Sequence, residues 1–241
     1  MPTSSSYQLF CLRLTGTAPG KWQGEIRATQ GKISVSKTLT FEVLPLLLPT
    51  QTAPTLELWQ YPFAVARYYQ IEPKDYFNKA HCEQIADLAI GQPHLGDQTV
   101  FRQWVIWNTV AYGADGFLRW ALDAWVKDPL VNGSHWYWES GDPFLLYPGT
   151  NGTMMSLRFQ QMQQALNDSR KYLFLQNKQP ALVSEVTRLL DGWAQLSGET
   201  NDYGAQVPFS ENETLQLIQT IQQMHDLLEK GARAYLKESN K

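Results

Sequence analysis

The chain of 241 residues is short of charge, of cysteine and of long apolar runs. Charged residues make up 18% of it, below the roughly 25% of an average soluble protein. There is no run of Lys or Arg and the formal net charge is -3, so the footprint of a nucleic-acid binder or of a protein held on an anionic membrane is missing. The longest apolar patch, Leu44 to Leu48, is interrupted by Pro45 and closed by Pro49, well short of the roughly 20 residues of a membrane span. Met1 to Phe10 is polar and Ser-rich, without the basic end and apolar core of a secretory signal. Only two cysteines occur, Cys11 and Cys82, far apart and in different segments. They predict reduced thiols rather than a disulfide, and Cys82 with His81 is too small a set for zinc. The expectation is a cytoplasmic protein, in which the Asn-X-Ser/Thr matches at Asn132, Asn151, Asn167 and Asn212 carry no weight. No Gly-rich phosphate loop, nucleophile elbow or metal-ligand spacing is present, so no cofactor and no metal are implied.

What is abundant is aromatic: 12% of the residues, 9 of them Trp. Low charge with many indoles suits either a large aromatic core or a surface that receives planar or sugar ligands. The first segment, to about Pro49, reads as β. Trp22, Gly24, Ile26 and Ala28 alternate with polar neighbours, Gln30-Gly31 signals a turn, and Ile33, Val35, Lys37, Leu39, Phe41 and Val43 continue the period of two. That is a hairpin with one apolar face. A hairpin alone is marginal, so this face is expected to cover something else.

A Thr- and Pro-rich linker, Pro49 to Pro54, leads to an extended aromatic stretch from Leu56 to Phe63, in which Pro62 predicts a strand end or a loop. Helices are predicted over Lys74 to Ile90 and Val100 to Tyr112, the second capped by Gly113. Phe117 to Leu122 is a short buried-strand candidate, followed by Asp123-Ala124-Trp125. In architectures that alternate strand and helix, functional residues sit at strand C-termini. Asn132 to Asn151 reads as a bulky loop rich in Gly, Pro and aromatics. The rest is helical. Phe159, Met162, Leu166 and Leu173 form one stripe; Leu182, Val186, Leu189, Trp193 and Leu196 a second; Leu217, Ile221, Met224, Leu228 and Tyr235 a third. Ser210 with Glu213 makes a capping box for the last helix, on which His225 reads as a surface or boundary side chain.

Two stretches carry a resemblance. One is Tyr112-Gly113-Ala114-Asp115-Gly116-Phe117-Leu118-Arg119-Trp120-Ala121 with Trp125 and Asp128-Pro129. The other is Gly141-Asp142-Pro143-Phe144-Leu145-Leu146-Tyr147-Pro148-Gly149 with Ser156-Leu157-Arg158-Phe159. Both resemble the C-terminal signatures of family 123 glycoside hydrolases. Gly20-Lys21-Trp22-Gln23-Gly24 and Leu58 to Tyr69 are similar to that family's β-sandwich domain and the entry to its barrel. The resemblance implies removal of β-linked N-acetylgalactosamine by a substrate-assisted mechanism. In it the sugar's acetamido oxygen attacks the anomeric carbon, while an adjacent Asp-Glu pair orients that group and protonates the leaving oxygen. This is an exception to the usual arrangement of two separated carboxylates.

The chain departs from that pattern, because no Asp-Glu dipeptide occurs anywhere in it. Length agrees: a complete eight-unit barrel needs about 250 residues, and the barrel-like part here has roughly 100, enough for about three β/α units. The missing material falls between about Asn78 and Gln98. The fold expected is therefore mixed α+β and α/β. Residues 1–50 are an antiparallel β-sandwich remnant, 55–156 a partial (β/α) barrel, and 157–241 an α-helical tail packed on it. No catalytic residue is assigned. Candidate sugar-binding residues are Arg119, Trp120, Asp123, Trp125, Asp142 and Trp59. Arg119 could pair with Asp123 or Asp142 or hydrogen-bond sugar hydroxyls, and the indoles offer flat faces with one N–H donor each. Trp136 and Trp138 read equally as loop anchors and Arg158 as a structural ion-pair partner. The partner expected is a carbohydrate, an N-acetylhexosamine glycan, with no nucleic acid and no membrane. The competing reading is a non-catalytic structural or interaction protein, a homo-oligomer that covers its exposed sheet edges by self-association.

Overall fold

A computed structural model describes residues 18–48, 55–58, 61–72, 99–119, 121–137, 142–150, 152–197 and 210–239. The helix expected over Lys74 to Ile90, the proposed gap, both cysteines, Trp59, Trp120 and Trp138 lie outside them.

Strands β1 (Gly20–Gln30) and β2 (Ile33–Val43) form the expected antiparallel hairpin, with Trp22 opposite Phe41 and Gln30 opposite Ile33. The turn is two residues long. Gly31 takes its first position at φ 60°, a backbone angle that a side chain resists. The apolar face does not do what the alternation predicts. Ile33 and Val35 are 70% and 65% exposed and Trp22 is 40% exposed, so among the described residues the face covers no core.

Strand β3 (Thr55–Leu58) pairs in parallel with β4 (Gly116–Arg119), Leu58 beside Arg119. Between them in sequence come helices α1 (Pro62–Tyr69) and α2 (Thr99–Ala111). Parallel neighbours need a crossover, and helices supply it here. The extended reading of Leu56 to Phe63 is corrected at its end: Pro62 opens a helix. Proline suits a first helical position, where its missing N–H would have had no partner and its φ is already helical. Helix α2 stops where Gly113, at φ 64°, donates to Val110 O at 3.0 Å and Ala114 N donates to Thr109 O at 3.0 Å. This glycine-dependent helix stop turns the chain directly into β4.

The bulky loop is shorter than expected, because Leu146–Gly149 (β5) and Gly152–Met155 (β6) form a second hairpin. Its tightness depends on Gly149, where a Cβ would stand 2.6 Å from the Gly152 carbonyl oxygen. The Tyr69 hydroxyl closes the same turn, 3.0 Å from Gly149 O and 3.3 Å from Gly152 O, and burial raises its pKa.

Three helices complete the described part: α3 (Leu157–Leu175), α4 (Pro180–Ser197) and α5 (Glu211–Ser239). Ser156 caps α3 by accepting from Phe159 N at 3.2 Å. The capping box of α5 forms as predicted, with Ser210 N donating to Glu213 Oε2 at 2.7 Å and Glu213 N donating to Ser210 Oγ at 3.3 Å. The buried stripes follow the expected periods, with Phe159 and Met162 from α3, Val186 and Trp193 from α4, and Leu217, Met224 and Leu228 from α5. They share one core with Val65, Trp107, Trp125 and Phe144, so the helices and the β/α part are packed as a unit. Gly231 lets α5 approach closely: a Cβ there would be 3.0 Å from Leu182 Cδ2 and 3.1 Å from Leu175 Cδ1.

His225 takes the boundary position of the two expected, half-buried and bonded across to α3. Its Nδ1 lies 2.9 Å from Asp168 Oδ2, and Asp168 on α3 is buried. Lys171 bonds the other Asp168 oxygen at 3.1 Å and also meets Glu229 of α5. Burial alone would depress the Lys171 pKa, but the two carboxylates outweigh it and raise it. The hydrogen bond to Asp168 likewise raises the His225 pKa above its ordinary value of about 6.5, against burial and Lys171. A histidine whose folded pKa is raised stabilises fully below its unfolded pKa and loses that contribution as pH climbs through the folded value. The melting temperature should therefore fall as pH rises through the raised His225 pKa, and His225→Gln should flatten this slope; an unchanged slope refutes the link. Separately, Gly149→Ala should lower unfolding free energy by about 2 kcal/mol in urea titration, since backbone rather than a side chain must yield.

Candidate functional site

The site grows from the C-terminal ends of two parallel strands. After β4 the chain runs as Leu122 to Ala124 alongside Pro143 to Leu146. Leu145 N donates to Leu122 O at 2.7 Å, Leu146 N to the same oxygen at 3.0 Å, and Ala124 N to Pro143 O at 3.2 Å. Asp123 and Phe144 form an antiparallel bridge. This pairing brings Asp142 to the end of β4, where Arg119 Nη2 donates to Asp142 Oδ1 at 2.8 Å and also to the Asp142 carbonyl oxygen. Of the two carboxylates weighed in the sequence, Asp142 is the one shown bonding the guanidinium. The side chains are 7% and 18% exposed, so most of the pair is out of water and a slim edge of Asp142 faces solvent.

Asp123 takes a different place. It is fully buried, and its Oδ1 accepts from Tyr61 N at 2.5 Å. That bond ties the start of α1, and with it the region after β3, to the region after β4. Trp125 is also a core side chain. It is 2% exposed, its Nε1 donates to Leu146 O at 2.7 Å, and Tyr68 and Tyr69 meet its ring edge-on at 5.4 and 5.8 Å. Arg67 adds a bond to Trp125 O at 2.8 Å. Asp123 and Trp125, both expected at a sugar, are thus buried and engaged in internal bonds. Arg158 Nη2 donates to Phe144 O at 3.0 Å and approaches the Tyr147 hydroxyl at 3.4 Å, holding the other strand of the pairing.

Residues 130–137 are mostly exposed. Trp136 is 88% exposed, with His135 and Tyr137 rings 5.6 and 5.5 Å from it, so it is no loop anchor. Sequence reasoning missed Tyr61, Arg67 and Tyr69, which fasten the site from α1. Pro62 was the signal that could have found them, had it been taken as a helix start. Among the described residues no group of three or more His, Cys, Asp or Glu could hold a metal ion, and no described helix is long and apolar enough to cross a membrane.

The described part is a mixed α/β fold with a mostly buried Arg119–Asp142 pair after its parallel strands. Residues 94–175 match the family described as glycoside hydrolase 123, catalytic domain, so the resemblance carried by the two motifs around Arg119 and Asp142 holds for that segment. The chain also shares its fold with a solved family 123 glycoside hydrolase from Clostridium perfringens, studied for glycolipid glycan hydrolysis. That likeness has a TM-score of 0.69 at 15% identity and covers 93% of this chain and 78% of the other. No curated protein sequence matches.

Removing one partner of a mostly buried pair leaves the other charge in a poor environment. Asp142→Ala should cost about 3 kcal/mol of unfolding free energy and Asp142→Asn, which keeps an acceptor, roughly half that. Equal and negligible effects in urea titration would show that Arg119 finds full compensation elsewhere.

Proposed function

We propose that this chain binds β-linked N-acetylhexosamine glycans, N-acetylgalactosamine above all, without cleaving them. The observation that carries the reading is the contrast between a retained Arg119–Asp142 framework and the lack of any Asp-Glu dipeptide in the 241 residues. The matched segment keeps the motifs that build the end of β4 and the facing turn. The acid and the acetamido-orienting group that the resemblance implies have no counterpart in sequence. Asp123 cannot stand in as a proton donor to a sugar, because it is buried and already accepts from the Tyr61 amide. Asp142 is engaged by the Arg119 guanidinium. In this reading Arg119 and Asp142 shape the wall, while Trp120 and Trp59, which flank the two parallel strands in sequence, supply flat faces to the sugar. Residues 55–156 then represent the terminal units of a (β/α) barrel and 1–50 part of a β-sandwich.

A second reading is supported by one observation, the exposure of the apolar face of β1–β2 at Trp22, Ile33 and Val35. Such a face suits self-association into a homo-oligomer.

Two measurements separate these. With a chromogenic β-N-acetylgalactosaminide, no saturable hydrolysis is expected, and clear turnover would refute loss of catalysis. Titration with N-acetylgalactosamine should give saturable binding that Trp120→Ala weakens by about tenfold, the scale of one lost aromatic contact. Binding untouched by that change, or absent from the native chain, removes the sugar-binding reading. A concentration-independent monomer in light scattering removes the self-association reading.

A further inference from the structure

We infer that two copies of this chain stack the apolar faces of their β1–β2 hairpins about a two-fold axis, the base of one over the tip of the other. The inference rests on the self-association reading and gives it a partner, a stoichiometry and a register.

Side chains alternate along each strand, so the register sorts the hairpin into two faces. One carries Trp22 opposite Phe41, their rings stacked at 6.4 Å and 11°, and further along it Ala28 opposite Val35. The other is polar: Glu25 lies opposite Thr38 and is bonded by Arg27, and Glu42 bonds Arg233 of α5. The polar face is therefore the one tied to the helices. The apolar face, with Trp22, Ile33 and Val35 exposed, is left for something outside the described residues to cover.

That face is complementary to itself. The middle of the eleven paired positions is Glu25–Thr38. A two-fold axis at this level, running across the strands between two stacked sheets, sets each residue over the one equally far from the middle on the same strand of the other copy. On β1, Trp22 then meets the partner's Ala28, and Gly24 meets the partner's Ile26. On β2, Phe41 meets the partner's Val35, and Leu39 meets the partner's Lys37. Large over small is the pattern that lets facing layers interdigitate. Gly24 supplies the hollow, since a Cβ there would meet nothing within 4 Å. Lys37 is the one charge on this face; its stem can lie along the partner's Leu39 while the ammonium group reaches past the β2 edge into water.

A face of eleven-residue strands is about 37 Å long, and two strands wide it offers about 500 Å² per copy. The pair would bury about 1,000 Å², enough for a specific interface that dissociates on dilution. Twist in a two-stranded ribbon concentrates contact near the middle, where the complementary positions lie. Pairing of strand edges would leave the apolar face in water, whereas stacking removes it.

Sedimentation velocity of the full-length chain, run over a range of micromolar concentrations, tests the stack. A monomer–dimer equilibrium is expected with nothing larger, because a two-fold contact closes on itself. Ala28→Trp makes the face more apolar but sets indole against indole, so it should weaken the dimer by about tenfold. Trp22→Ala, which empties the facing position, should weaken it by a similar factor. The double variant Trp22→Ala with Ala28→Trp should recover most of the affinity, since the two positions exchange across the axis. Both positions are exposed in the single chain, so the melting temperature of the monomer should stay put. A monomer at every concentration would overturn the inference and the self-association reading together. Self-association that Ala28→Trp leaves intact or strengthens, that the double variant fails to recover, or that continues beyond a dimer would overturn the stack alone.

Discussion

The pairing of Arg119 with Asp142 is the constraint from which the rest of the β/α part follows. A guanidinium at the end of a short strand, with 7% of its side chain in contact with solvent, is tolerable only if an anion and an acceptor are delivered to it. The delivery comes from 23 residues further along, and it works because Leu122 to Ala124 and Pro143 to Leu146 bond to each other as a strand-like pair. That pairing places Leu145 and Leu146 in the core, sets Trp125 against Tyr68 and Tyr69, and presents Leu146 O to the Trp125 indole. Charge satisfaction and aromatic packing are therefore consequences of a single juxtaposition.

The elements legible in the sequence are those governed by local rules. The long helices α3, α4 and α5 announce themselves by apolar period, and the Ser210–Glu213 box needs only four residues to be recognised. Gly113 ends α2 for a reason internal to the backbone. The first hairpin follows from alternation and its Gly31 turn. What alternation could not tell is whether the apolar face would be covered, since that depends on residues distant in sequence. The same limit explains His225. Its solvent-facing spacing on α5 was readable, but the carboxylate it meets belongs to α3, 57 positions earlier.

The candidate site was legible in part for a related reason. Arg119 and Asp142 stood out because their motifs are unusual, and the two possible partners of Arg119 could be named but not chosen between. Choosing needed the zip between the segments that follow β4 and precede β5. Trp125 and Asp123 show what sequence position leaves out. Both follow a strand, where ligands are commonly met, yet each is consumed by internal bonds, one to a carbonyl and one from an amide. Residue type and position identify groups capable of meeting a ligand; burial decides which remain available.

Gly231 carries a consequence for how the last helix finds its place. A slide of α5 by one turn, about 5.4 Å, would bring Leu228 or Tyr235 to the point where even a Cβ would stand 3.0 Å from Leu182 Cδ2 and 3.1 Å from Leu175 Cδ1. The glycine thus acts as a notch that favours the observed axial setting of the helix. In that setting His225 stands opposite Asp168, Glu229 opposite Lys171, and Arg233 opposite Glu42 of the first hairpin. A missing side chain thereby fixes the alignment of three charged contacts spread along more than two turns.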